Sequence, residues 1–165
     1  MNLRRALRHL FTTRWSVRRH FTPAVLAQIE DAISEVESRH SGEIRFAVES
    51  ALEPSDLWMG VTPRERALQI FSELGVWDTE LNNGVLIYVL FADHDVEILA
   101  DRGIAVRVPR EQWENVCHEM EAHYRAGRFA EGSVAGIQSV GRLLAQHFPH
   151  AGADRDELPN QPVLL

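Results

Sequence analysis

Three short segments hold the residues whose types and spacing suit polar chemistry: Ser41-Gly42-Glu43, Asn82-Asn83-Gly84 and Ala100-Asp101-Arg102-Gly103. Together they offer two carboxylates, two side-chain amides and one guanidinium. Turns rich in such oxygens hold calcium or magnesium, and a guanidinium holds phosphate or carboxylate. Glu43 and Asp101 are the candidate metal ligands. Glu43, Asn82, Asn83 and Arg102 are the candidate binding residues. A plainer arrangement competes with this one: capped turns tied by an Arg–Asp ion pair. The segments meet only if the strands that follow residues 42 and 83 run parallel and the next strand returns antiparallel to the same sheet edge.

Other constellations are weaker. His118 and His123 stand five apart, roughly 140° around a helix, so they do not share the face that a zinc-protease pair needs. Asp93-x-Asp95 matches a phosphatase nucleophile motif by letters, but a strand resumes directly after it, as at a polar hairpin tip. Cys117 falls in register with Trp113 and Met120 and reads as a buried thiol; as the only cysteine it forms no disulfide within the chain. All 17 basic residues are arginine. A P-loop lysine, a Schiff-base lysine and any catalytic lysine are therefore excluded.

The elements that must position the three segments are legible from periodicity. Residues 2–11 form a short amphipathic helix with Leu3, Leu7, Leu10 and Phe11 on one side and arginine on the other. Trp15 and Val17 follow in a connector. Thr22-Pro23 opens a helix carrying Val25, Ile29, Ile33 and Val36. Residues 43–49 alternate as a strand, with Ile44, Phe46 and Val48 on one face. Thr62-Pro63-Arg64-Glu65 is a capping box. The run 85–91 is apolar on both faces, as a central strand is, and 96–100 returns as a hairpin partner. A helix after Pro109 carries Trp113, Val116, Cys117, Met120 and Tyr124. The last helix, about 130–147, contains Gly132, Gly136 and Gly141, a spacing that points to close approach to the sheet. One βαβ crossover plus a hairpin gives a small mixed sheet, in a two-layer α/β or three-layer α/β/α domain.

Charge is placed unevenly. Residues 1–29 contain Arg4, Arg5, Arg8, Arg14, Arg18 and Arg19 and no acid, so they carry +6, whereas the remainder carries −13. An acidic body argues against nucleic-acid binding. The basic start suits either an anionic membrane surface or the chain's own acidic domain. No stretch approaches the roughly 20 apolar residues of a membrane span, and residues 1–20 lack a secretory apolar core, so the expected location is the cytoplasm. The expected organisation is an Arg-rich segment over 1–20, one domain over 21–149 and a flexible tail over 150–165.

Gly42-Glu43-Ile44, Ala67…Phe71, Asn83-Gly84-Val85-Leu86, Val96-x-Ile98, Gly103-Ile104 and the helix after Arg125-Ala126-Gly127-Arg128-Phe129 resemble, in this order, the TPM domain. That family is named for a thylakoid-lumen protein, a photosystem II repair protein and a modulator of nematode receptors. The resemblance implies an α/β/α sandwich, a divalent-metal site and, in plant members, acid phosphatase activity. Other members act in assembly, repair or receptor modulation, and many bacterial members carry a signal peptide and a membrane anchor that this sequence does not show. The sequence departs from the family at Asn82 and Arg110, where an Asp is common, and at Asp101, where Gly is usual. Fewer carboxylates weaken a hard-cation site. The expectation is thus a non-catalytic module that binds a partner protein and exposes an apolar patch including Trp58 or Trp77. The alternative is a phosphatase using calcium or magnesium at the sheet edge.

Overall fold

The computed structural model describes residues 3–149 and 157–165. Two short helices come first, α1 (Leu3–Phe11) and α2 (Arg14–His20). The connector expected around Trp15 and Val17 is helical: the Thr13 hydroxyl accepts from the Ser16 N–H at 3.4 Å and Val17 is buried. Seven residues are too few for periodicity to reveal. Thr22 then caps α3 (Pro23–Glu37), accepting from the Val25 N–H at 3.3 Å. After β1 (Glu43–Glu49) come the short α4 (Pro54–Met59) and α5 (Pro63–Glu73), which starts at the capping box of Thr62 and Glu65. The strands β2 (Gly84–Leu90) and β3 (Asp95–Ala100) flank a 3-10 turn at Phe91–Asp93. The short α6 (Arg102–Ala105) precedes α7 (Arg110–Arg125) and α8 (Phe129–His147).

The sheet has the order β3-β2-β1-β4, where β4 is Val163–Leu164. β1 runs parallel to β2, and β3 antiparallel to β2. Ile44, Phe46, Val48, Val85, Ile87 and Val89 face a core shared with α3, α7 and α8. Ala47, Leu86, Tyr88 and Leu90 face a smaller core closed by Ala67 and Ile70 of α5. The fold is therefore an α/β/α sandwich around a small mixed sheet.

Two expectations need correction. The final stretch of the tail expected to be flexible is built into the sheet. β4 pairs in parallel with β1 (Ala47↔Val163, Val48↔Leu164), and the Leu165 N–H donates to Val48 O at 2.9 Å. Leu158 is buried in the smaller core. Residues 150–156, also part of that expectation, lie outside the described residues. The anchors are the polar residues of β1: Glu43 accepts from the Leu158 N–H at 3.1 Å, and Arg45 donates to the carbonyls of Pro159 and Gln161. Partners more than 100 residues apart leave no periodic trace. The second correction concerns α8, whose glycines approach helices rather than the sheet. A Cβ on Gly136 would lie 2.2 Å from Met120 Sδ of α7, and one on Gly141 2.6 Å from Val36 Cβ of α3.

β3 lies at the sheet edge, where unpaired backbone invites another strand. Side chains cover it: Glu121 accepts from the Val96 N–H at 3.4 Å, and Arg64 donates to Ile98 O at 2.8 Å. This concentrates acids around Asp95. Burial pushes its carboxyl up to about 6, and the charges of Glu97, Glu121 and Asp93 push the same way.

Two predictions follow from this packing. A Cβ at residue 84 would lie 2.0 Å from the Val76 carbonyl oxygen, which is rigid backbone. Gly84→Ala should therefore destabilise the fold by about 3 kcal/mol in urea unfolding; an unchanged midpoint would contradict the register. Asp95 binds its proton more tightly folded than unfolded, where the value is about 3.9. Stability from this group is present at low pH and lost as pH rises from about 4 to about 6. Asp95→Asn should then gain roughly 1 kcal/mol at pH 7, after discounting for solvent, and little at pH 4. A loss at pH 7 would contradict the raised value.

Candidate functional site

The parallel pairing sets Glu43 opposite Gly84, and the antiparallel pairing sets Val85 opposite Ala100. The three segments singled out in the sequence thus meet at one sheet edge. Backbone bonds lock them: Glu43 N–H to Asn83 O at 3.1 Å, Asp101 N–H to Gly84 O at 2.8 Å, and Gly103 N–H to Asn82 O at 3.0 Å. Asn82 takes the left-handed conformation (φ 51°) that this turn requires. Buried Asn83 donates its Nδ2 to Ser41 O, while Arg102 and the Asn82 side chain point to solvent.

The chemistry available at this edge is limited. One oxygen of Glu43 accepts from Leu158, and Asp101 Oδ1 caps α6 by accepting from the Arg102 N–H at 2.6 Å. Asp101 Oδ2 and Asn83 Oδ1 remain, both buried without a hydrogen-bond partner. Calcium takes six to eight oxygens, and magnesium a full octahedron. Two orphan oxygens do not make either shell. Among the described residues, no group of three or more His, Cys, Asp or Glu side chains could hold a metal ion. The residues present therefore do not fit a resident divalent cation, and no step is derived through one. A second cleft of about 260 Å³ lies beside β3, lined by Arg64, Glu97, Arg110, Glu114 and Cys117 among others. Its arginines are engaged, Arg64 with Glu97 at 3.1 Å and Arg110 with Glu114 at 2.6 Å. Burial pushes the Cys117 thiol up to about 12, so it is no nucleophile at neutral pH.

A different constellation, missed in the sequence, lies at the hairpin tip. Asp93 receives the Arg5 Nε–H at 2.8 Å and the Arg8 Nη2–H at 2.6 Å, and His9 Nε2 lies 3.1 Å away. His9 is 3% exposed. Its Nδ1 accepts from the Leu52 N–H at 3.0 Å, which leaves the ring proton on the nitrogen facing Asp93. Burial alone would raise the Asp93 carboxyl. The close contact with His9, and the hydrogen bond and charge of Arg5, outweigh it and hold the group at about 2. The basic start thus folds back onto the chain's own domain through Arg5 and Arg8.

This latch orients α1. A surface helix ordinarily buries its apolar side, but α1 turns Arg5 and His9 inward and leaves Leu3, Leu7, Leu10 and Phe11 exposed, Phe11 at 75%. Leu3, Leu7 and Leu10 join Leu52, Leu57 and Trp58 along an apolar groove of about 510 Å³ between α1 and α4. Trp58 is 80% exposed. The only sequence signal was indirect: an acid-free basic helix upstream and an acidic hairpin tip downstream, both visible, with nothing to pair them.

Comparison with known proteins places the fold. Residues 18–143 match the TPM domain family. Among solved structures, the chain is similar to the BA42 protein of the psychrophilic bacterium Bizionia argentinensis, with 35% identity and a TM-score of 0.77 over 87% of this chain and 94% of that one. It is also similar to the N-terminal domain of a protein from P. gingivalis (21% identity, TM-score 0.60, 79% and 82% covered). A third is the N-terminal domain of a protein from Corynebacterium glutamicum (14% identity, TM-score 0.56, 81% and 78% covered). The last two likenesses concern the fold alone. No curated protein matches the chain. The family match spans most of the sequence and the order of its elements, and the chain belongs to the TPM domain family.

Proposed function

We propose that this TPM-domain protein is a non-catalytic docking module whose working surface is the outward apolar side of α1 and the adjoining α4. The observation that carries the reading is the inversion of α1: its polar side is spent on Asp93, and its leucines face outward. Exposed contiguous apolar surface of this kind is costly in water and marks a place where something else binds. The sheet edge supports a hydrolase less well. Glu43 and Asp101 each commit an oxygen to backbone N–H groups, and a phosphatase needs a nucleophile and charge stabilisation converging on one point.

Two measurements separate the readings. The full chain should enhance 1-anilinonaphthalene-8-sulfonate fluorescence, and Leu7→Asp should lower the enhancement several-fold without changing the circular dichroism, because Leu7 is exposed. Hydrolysis of p-nitrophenyl phosphate with calcium, magnesium or manganese should show no turnover dependent on Asp101 and Arg102. Turnover abolished by both Asp101→Asn and Arg102→Gln, or a dye signal indifferent to Leu7→Asp, would overturn the docking reading.

A further inference from the structure

We infer that the occupant of this surface is an anionic lipid bilayer, an inference that rests on the docking reading above. Shape favours this occupant. Leu3, Leu7 and Leu10 line an open apolar groove, and Phe11 is exposed at the end of the same helix, which is held by its opposite side. Acyl chains fill such an open apolar face without needing a complementary surface of their own.

Charge favours the same occupant. Arg4 of α1 and Arg14, Arg18 and Arg19 of α2 are exposed. Arg19 lies over the ring of Trp15 at 4.8 Å, and Trp15 is itself exposed. Tryptophan beside arginine suits the depth at which acyl chains give way to phosphates. Trp58 supplies a second ring at the edge of the groove. Glu53 and Asp56, at the start of α4, and Asp93 beneath α1 oppose this charge; the six arginines of residues 1–29 outnumber them.

The rest of the chain carries −13, so net charge favours approach of an anionic surface by the basic first two helices. The exposed leucines and the arginines both belong to the first two helices. An acidic protein would satisfy the arginines but would also need an apolar ridge shaped to the groove.

The test uses the full chain and sedimentation with vesicles of phosphatidylcholine alone or mixed equally with phosphatidylglycerol. Binding to the mixed vesicles is expected at about 0.01 M salt. It should be lost at about 1 M, where the screening length falls from about 30 Å to about 3 Å. Tryptophan emission should shift to the blue on the mixed vesicles. Leu7→Asp should abolish binding, and Arg14→Gln combined with Arg18→Gln should weaken it by roughly twenty-five-fold, about fivefold per arginine. Failure to sediment with mixed vesicles at low salt, or binding that survives Leu7→Asp, would overturn the lipid assignment. If vesicles fail while the dye signal still depends on Leu7, the docking reading stands and an acidic protein takes the lipid's place. If the dye signal also ignores Leu7, both fall together.

Discussion

One carboxylate sets the orientation of the first helix. Asp93 sits on the 3-10 turn between β2 and β3 and gathers Arg5, Arg8 and His9 from α1. A half-buried carboxylate without such partners would be expensive; with them it is held ionised down to about pH 2. The arrangement is specific because His9 is fixed from both sides, by Leu52 and by Asp93. A helix of nine residues has little stability of its own. Its structure and its direction therefore both depend on this contact, and the outward leucines are the consequence.

The same logic operates at the other end of the chain. Buried charges on β1 are tied to remote backbone: Glu43 to Leu158, Arg45 to Pro159 and Gln161. Glu49, on the same strand, binds Arg66 through both oxygens and accepts from the Tyr88 hydroxyl. Burial lowers the Arg45 guanidinium from its usual value, a measure of how far it is withdrawn from water. Charged groups in a sheet interior are costly to leave unpaired, so these pairings fix where the C-terminal strand docks. They also occupy a carboxylate that a metal site at the sheet edge would need.

What the sequence made legible were features with short-range signatures. Thr22-Pro23 and the Thr62–Glu65 box start helices where the pattern says they should. The doubly apolar run after Gly84 is the central strand, and the stripe from Trp113 to Tyr124 is buried as its spacing requires. The meeting of residues 43, 84 and 100 at one edge followed from topology alone. What could not be read were long-range pairings of polar residues. Glu43 looked like a ligand because its type and turn context suit one; its tie to Leu158 spans 115 residues. Asp93 looked like a hairpin tip, which it is, and its latch to α1 spans 85 residues or more. Periodicity assigned α1 its amphipathic character correctly but not which side faces in. That choice is made by Asp93 against the usual rule.

The most direct measurement of this account is amide hydrogen exchange over residues 3–11 in the full chain, compared with Asp93→Asn at neutral pH. Removing one partner of a half-buried ion cluster costs about 1 kcal/mol or more. Exchange in α1 should therefore accelerate by about fivefold or more, while the amides of β1 and β2 keep their protection. Unchanged protection of residues 3–11 in the Asn variant would show that α1 is held by its leucines rather than by Asp93, and would contradict the central claim.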